Sequence, residues 1–310
     1  MSAIPYDEFG YFHENAEEFG VPYATPPVVE RVATALADGR TLSALRWSQE
    51  TPGMVFLHGG AQNAHTWDTV ALALGRALLA VDLPGHGHSD GPSPAGGVGP
   101  EANAADVAAA IVHHSAPPVH LVGMSLGGLT GIALAARHPH LVASLTLVDV
   151  TPGVNQDKAA AITAFVNGPT SFASFDEILA RTIEHNPTRT VASLRRGILH
   201  NAVQHPDGSW TWRYRRHDLA AGQPDSGALN FADLWADLGS ITAPVMLVRG
   251  MRRQSVVDDA DETELRRRQP SVRIERLADA GHSVQGDMPV ELARLIEEFT
   301  ARATWPRSSS

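Results

Sequence analysis

Between residues 54 and 148 the chain alternates short apolar runs with longer stretches in which apolar residues recur at helical spacing. The runs are Met54-Val55-Phe56-Leu57, Leu78-Leu79-Ala80-Val81, Val119-His120-Leu121-Val122 and Leu145-Thr146-Leu147-Val148, and Val245-Met246-Leu247-Val248 repeats the pattern later. Runs this short, without polar alternation, suit strands buried on both faces of a parallel sheet. The stretches 66–77, 104–115 and 127–138 between them read as helices. Strand and helix in alternation predict a right-handed, doubly wound, mostly parallel α/β sheet. Upstream, residues 28–36 and 41–47 flank Asp38-Gly39-Arg40, and an Asp-Gly pair between partly apolar runs signals a β-hairpin.

The alternation stops between 152 and 240. Ser174-Phe175-Asp176-Glu177 reads as a capping box opening one helix. Residues 188–204, with Thr188 near the start, read as a second, and Asn230-Phe231-Ala232-Asp233 opens a third. The predicted organisation is therefore a core of 26–151 and 241–305 carrying a helical cap at 152–240. After the cap come a strand at 245–249, a charged helix near 258–269, a strand at 272–277 and a last helix near 289–302. Residues 1–25 are acidic and aromatic and match no regular core element. Tyr11, Phe12, Phe19 and Tyr23 suit packing of this arm onto the body or onto a second subunit, so a homodimer is one expectation. The tail from Pro306 to Ser310 is expected to be loose.

Composition narrows the function classes. Hydrophobic residues make up 43% and charged residues 19% of 310 residues, the balance of a globular chain. A formal net charge of −10 argues against nucleic acid as partner, because such binders need a concentrated basic surface. The runs Arg195-Arg196, Arg215-Arg216 and Arg266-Arg267-Arg268 are short enough to be solvated helix faces. With no cysteine, disulfides, thiolate metal sites and a cysteine nucleophile drop out together. No apolar run reaches the roughly 18–20 residues of a membrane span, and the N-terminus lacks the features of a secretory signal. A cytoplasmic location follows as the expectation.

The strongest chemical signal is Gly123-Met124-Ser125-Leu126-Gly127-Gly128, with an apolar strand before it and a helix after it. This is the Gly-x-Ser-x-Gly nucleophile elbow in its meaningful context. The sharp turn demands small flanking residues and exposes the hydroxyl above the sheet edge. It also aims the positive end of the following helix at charge developing in acyl transfer.

Four further stretches, Leu57-His58-Gly59-Gly60, Asp82-Leu83-Pro84-Gly85-His86-Gly87-His88-Ser89, Arg249-Gly250 and Ala280-Gly281-His282-Ser283, complete a pattern over residues 28–305 that resembles the α/β-hydrolase family. The resemblance implies serine, acid, histidine in chain order. His282, in a Gly-His loop before the last helix, is then the base for Ser125. It implies scaffold roles for His58 and His86. No His-x-x-x-His pattern appears, so no metal is expected. Most members place the acid three residues beyond a glycine like Gly250, but that position is Arg253 here. Some members place it after the sixth strand, where this sequence reads Leu147-Val148-Asp149, 24 residues beyond Ser125. Asp149 is the leading acid, and Asp258 or Asp259, at a predicted helix start, is the fallback.

The oxyanion hole implied by the resemblance uses the N–H groups of Leu126 and Gly60, with Ala61 as substitute for Gly60. Asn63, His65 and Trp67 follow at the entrance. Met124, Ala61, Trp210 and Trp212 are pocket candidates, as are Phe165 and Phe172. Trp210, Trp212 and Tyr214 would share one side of an extended segment, although cap-to-core packing explains them as well. The resulting expectation is a cofactor-free serine hydrolase cleaving a carboxylic ester or lactone of a small, apolar or aromatic substrate through an acyl-enzyme. Hydrolysis of a carbon–carbon bond in a β-diketone, perhydrolysis and cofactor-free oxygenation use the same triad. A binding protein that kept the pocket and lost turnover is the reading from another class.

Overall fold

The computed structural model describes residues 4–93, 97–154, 157–186, 188–215 and 231–302. Arg216, Asn230 and the tail from Pro306 to Ser310 lie outside them. The chain begins with a helix, α1 (Phe12–Phe19), and an antiparallel hairpin of β1 (Val29–Ala35) and β2 (Thr41–Trp47). Alternation follows: β3 (Met54–Leu57), α2 (Asp68–Leu74), β4 (Leu78–Val81), α3 (Pro100–His114), β5 (Val119–Met124), α4 (Leu126–Arg137) and β6 (Val142–Val148). An insertion holds α5 (Ala160–Val166), β7 (Ser171–Phe172), α6 (Phe175–His185), α7 (Val191–Asn201), β8 (Ala202–Gln204) and β9 (Trp210–Trp212). The core resumes with α8 (Leu234–Ser240), β10 (Val245–Gly250), α9 (Asp259–Arg268), β11 (Arg273–Leu277), α10 (Val284–Asp287) and α11 (Pro289–Arg302).

Eight strands form one sheet in the order β1-β2-β4-β3-β5-β6-β10-β11. It is parallel from β4 to β11, and β2 runs antiparallel to both its neighbours. The apolar runs lack polar alternation because both sheet faces are covered. Val55, Leu57, Leu79, Val81, Val245 and Leu247 pack with residues of α3, α4, α8 and α9. Their alternates Met54, Phe56, Leu78, Ala80, Met246 and Val248 pack with residues of α1, α2, α10 and α11. Each such side chain contributes roughly 1.5–3 kcal/mol on burial.

Two regions differ from the sequence expectation. The N-terminal arm carries a helix whose Phe12 is buried against Trp47, with ring centroids 4.8 Å apart. The insertion is not purely helical, because β7, β9 and β8 form a three-stranded antiparallel sheet. Within it, Ser174 caps α6 as expected, accepting from the Glu177 N–H at 3.2 Å. Thr190 rather than Thr188 caps α7, accepting from the Ser193 N–H at 3.1 Å.

Candidate active site

Strand register assembles the site. Met124 pairs with Val148, and Val148 with Val248, so Ser125, Asp149 and Arg249 each sit one residue past a shared row. Leu57 pairs with Gly123, which sets His58 and Gly59 at the same sheet edge. Two backbone bonds continue the rows into the loops: Ser125 N–H to Val148 O at 3.4 Å and Asp149 N–H to Val248 O at 2.8 Å. Both residues take positive φ, 51° at Ser125 and 46° at Asp149, which a non-glycine residue adopts only where surrounding packing enforces it.

The elbow's glycines are required by contact. A Cβ on Gly127 would overlap the Leu57 carbonyl, and one on Gly123 would overlap the Gly127 carbonyl. A Cβ on Gly59 would overlap the Met124 sulfur and lie 3.2 Å from Ser125 Cβ. The strand, the elbow helix and the 58–61 loop thus close on one another with no room for side chains.

Asp149 is fully buried and faces His282, its Oδ2 2.9 Å from the ring Nδ1. A carboxylate oxygen accepts there, so Nδ1 carries the proton and Nε2 is left as the acceptor. Three more donors hold the carboxyl group: Gly250 N–H at 2.9 Å and Ser255 Oγ–H at 2.6 Å on Oδ1, and Val256 N–H at 3.1 Å on Oδ2. The loop that in most relatives of this pattern would carry the acid here supplies donors to Asp149. Ser255 gave no signal in the sequence, because its part depends on the 250–256 loop folding back over β6. Asp258 and Asp259 are elsewhere. Asp258 caps α9, accepts from Asp261 N–H at 2.9 Å and pairs with Lys158 at 2.9 Å. Asp259 is almost fully exposed and pairs with Arg249 at 2.7 Å. The fallback acid is therefore not beside His282, for the ordinary reason that both carboxylates serve the start of a helix.

The 58–61 loop is braced by two histidines. Buried His58 accepts from Leu83 N–H at 2.9 Å through Nε2 and donates through Nδ1 to Gly59 O at 2.7 Å. Burial pushes its pKa down, in keeping with a neutral ring. His86 accepts the Ala61 N–H at 3.1 Å and approaches Pro84 O at 3.0 Å with its other nitrogen. The Ala61 N–H is therefore occupied, which removes Ala61 as a substitute donor. The Gly60 N–H has no partner among the described residues, and the Leu126 N–H, first in α4, has none within the helix.

The pocket candidates divide. Met124 is buried in the sheet layer with Phe56 and Val122, because strand alternation turns it away from the surface. Trp210 joins Phe172, Ile178 and Ile198 in the core of the insertion, and Trp67 packs edge-on against Phe56. Trp212 does line a cavity of about 210 Å³, together with Phe165 and Leu194. Asn63 and His65 line it too, and Gln62, Gln285 and Gly286 bring it to the edge of the site. Gln62 Oε1 accepts from Gly59 N–H at 3.1 Å, and a Cβ on Gly59 would be 3.2 Å from it.

One cluster was hidden in the sequence. His65, Asp68 and His200 bring potential metal-ligand atoms within 4.8 Å of one another. The two rings stack in parallel, with centroids 3.8 Å apart and planes 12° apart. Their in-plane lone pairs run side by side instead of converging, so the donor set suits a charge network better than a metal. Burial opposes a charged His65, but the Asp68 carboxylate and the Glu8 hydrogen bond outweigh it and push the pKa up to about 9.

A family model described as the alpha/beta hydrolase fold matches residues 52–289. The chain is 44% identical over 298 residues to Esterase Rv0045c of Mycobacterium tuberculosis, covering 94% of each. A solved structure of that esterase, concerned with its transition metal inhibition, superposes with a TM-score of 0.81 at 42% identity, covering 96% of this chain and 100% of that one. The chain is also 29% identical over 266 residues to 2-(acetamidomethylene)succinate hydrolase of Mesorhizobium japonicum, covering 84% of this chain and 92% of the relative.

Proposed function

This chain belongs to the α/β-hydrolase fold family as a carboxylic-ester hydrolase, and on that premise we propose that it cleaves small esters through Ser125, His282 and Asp149. Ser125 Oγ attacks the ester carbonyl while His282 Nε2 takes its proton and later returns it to the departing alcohol. Asp149 fixes the tautomer and direction of His282 through Nδ1. The Gly60 and Leu126 N–H groups receive the oxyanion. Water, activated by His282, then releases the acid from Ser125.

The observation that carries this reading is the 2.9 Å contact between Asp149 and His282 at the strand end next to Ser125. The Gly60 N–H, without a partner among the described residues, supports its part in the oxyanion hole. A cavity of about 210 Å³, with Phe165, Leu194 and Trp212 on one side, supports a small substrate with an apolar part. The absence of any cysteine favours action in the cytoplasm.

The test is hydrolysis of p-nitrophenyl acetate, butyrate and hexanoate, run beside a fluorophosphonate probe. Wild type should turn over the esters and label at Ser125. Ser125→Ala should abolish labelling and lower kcat by about 10⁴-fold or more. A folded wild-type protein that neither labels nor hydrolyses any ester, or a Ser125→Ala protein that keeps its activity, overturns the reading.

A further inference from the structure

Two arginines line the cavity beside the site, and they differ in their counter-charges. Arg196 is buried and neutralised by Glu14 and Glu18 on α1. Arg189, just before α7, has no carboxylate within ion-pair distance among the described residues. Its hydrogen-bond partner through the side chain is Ser193 Oγ. Glu18, which acts on Arg189 at longer range, is engaged by Arg196 and Thr190. Asp287, the other long-range carboxylate, accepts from Gly281 N–H at 2.8 Å.

The position of Arg189 ties it to the reacting groups. A Cβ on Gly286, four residues beyond His282, would overlap its guanidinium. Gln62, which also lines the cavity, reaches the oxyanion loop beside Ser125. The cavity is also lined by His65, and Asp68, the one carboxylate among its described lining residues, is bonded to His65 at 2.9 Å. Among the described lining residues Arg189 is thus the cation left without a paired carboxylate, since Arg196 meets Glu14 and Glu18 and His65 meets Asp68 and Glu8. Arg189 is half-buried, so a partly shielded cation without a paired carboxylate gains from one that a ligand brings, and a guanidinium fork matches a carboxylate in shape. A volume of about 210 Å³ lies below the ~300–1,000 Å³ of most small-molecule sites, which favours a short substrate.

We infer that Arg189 is a specificity residue that receives a carboxylate on the substrate, so that the preferred substrates are short esters bearing a free carboxylate a few bonds from the scissile carbonyl. The inference rests on the ester-hydrolase reading above. The carboxylate can stand on the acyl part, as in a monoester of a dicarboxylic acid, or on the alcohol part, as in an acylated hydroxy acid. In both, one water is consumed and one acid and one alcohol are released. The apolar wall of Phe165, Leu194 and Trp212 contacts the methylenes between the two ends.

The experiment compares matched pairs. The acyl-side pair is monomethyl glutarate and methyl pentanoate. The alcohol-side pair is 4-(butyryloxy)butyrate and pentyl butyrate. Hydrolysis is followed by acid release, and glutarate and glutaramide are tested as inhibitors of p-nitrophenyl butyrate hydrolysis. In wild type the anionic member of at least one pair should have a kcat/KM tenfold or more above its neutral partner, and that pair identifies the side bearing the carboxylate. Glutarate should compete and glutaramide should not. Arg189→Gln should lose the preference and the competition while p-nitrophenyl butyrate turnover stays within about threefold, and Arg189→Lys should keep part of both. Wild type that cleaves neutral esters without preferring either anionic partner and without competition by glutarate overturns this inference alone, whether or not the variants fold. Wild type that cleaves no ester overturns the underlying reading instead. Calorimetry of monomethyl glutarate with wild type and Arg189→Gln then decides the inference: binding that needs Arg189 upholds it, and absent or unchanged binding overturns it.

Discussion

Four donors converge on the two oxygens of Asp149, and three of them come from the backbone and side chains of residues 250–256. Replacing the carboxylate by an amide puts an NH₂ group where these donors point, which turns His282 or flips its tautomer. Asp149→Asn is therefore expected to lower kcat by about 10⁴-fold with little change in KM. Asp258→Asn should keep kcat within about twofold, since asparagine caps a helix as well as aspartate. Steady-state kinetics on one neutral ester ranks the two, and the reverse order rejects Asp149 as the acid. Ser255→Ala removes one neutral donor and should cost about tenfold in kcat, the effect of one hydrogen bond of ~1–1.5 kcal/mol. Ser255→Thr should restore most of it. The place of Asp149 beside His282 was legible because a strand end, a spacing from the serine and the basic residue at 253 all bear on one position. The contact of Ser255 with Asp149 and the place of Arg189 in the cavity lining were not legible, since each arises only from a loop or helix folding against elements far away in the chain.

At the scale of elements, the elbow is a packing problem solved with missing side chains. Gly127 lies against the Leu57 carbonyl, so an added methyl group meets backbone, which yields less readily than a side chain. Gly127→Ala should lose about 2–3 kcal/mol of stability and most of its activity together, measured by urea unfolding and ester turnover. Stability unchanged by that substitution would mean that β3 and α4 are not in the contact described. The buried strands were legible because two helical layers remove polar residues from both faces. The N-terminal helix was not, because eight residues carrying three glutamates leave only Phe12 and Ala16 to mark its buried side. Strands of two or three residues in the insertion are shorter than any periodicity can reveal.

Across the whole molecule, the N-terminal arm joins the insertion to the core. Ile4 N–H donates to Gln204 at 2.9 Å, Tyr6 Oη lies 3.0 Å from His200 Nδ1, and Glu18 pairs with Arg196, all on the insertion. Glu8 meets Arg31 at 2.9 Å and His65 at 3.3 Å on the core. The junction is charged, so pH sets its strength. Burial would raise the Glu8 pKa, but hydrogen bonds from His65 and Arg31 lower it from 4.5 to about 2. Its contribution is therefore complete above pH 4.5 and is lost as pH falls toward 2. His65, raised from 6.5 to about 9, works in the opposite sense: its contribution is complete below pH 6.5 and is lost as pH rises through 9. The Tm difference between wild type and Glu8→Gln should therefore be widest near pH 5–6.5, on the order of 2–4 °C, and narrow on both sides. In a His65→Gln background the alkaline narrowing should vanish while the acid one remains, because the glutamine cannot titrate and Arg31 still holds Glu8. Melting curves of the four proteins between pH 3 and 10 measure this, and a difference that stays constant across that range would detach the arm's charges from the stability of the fold.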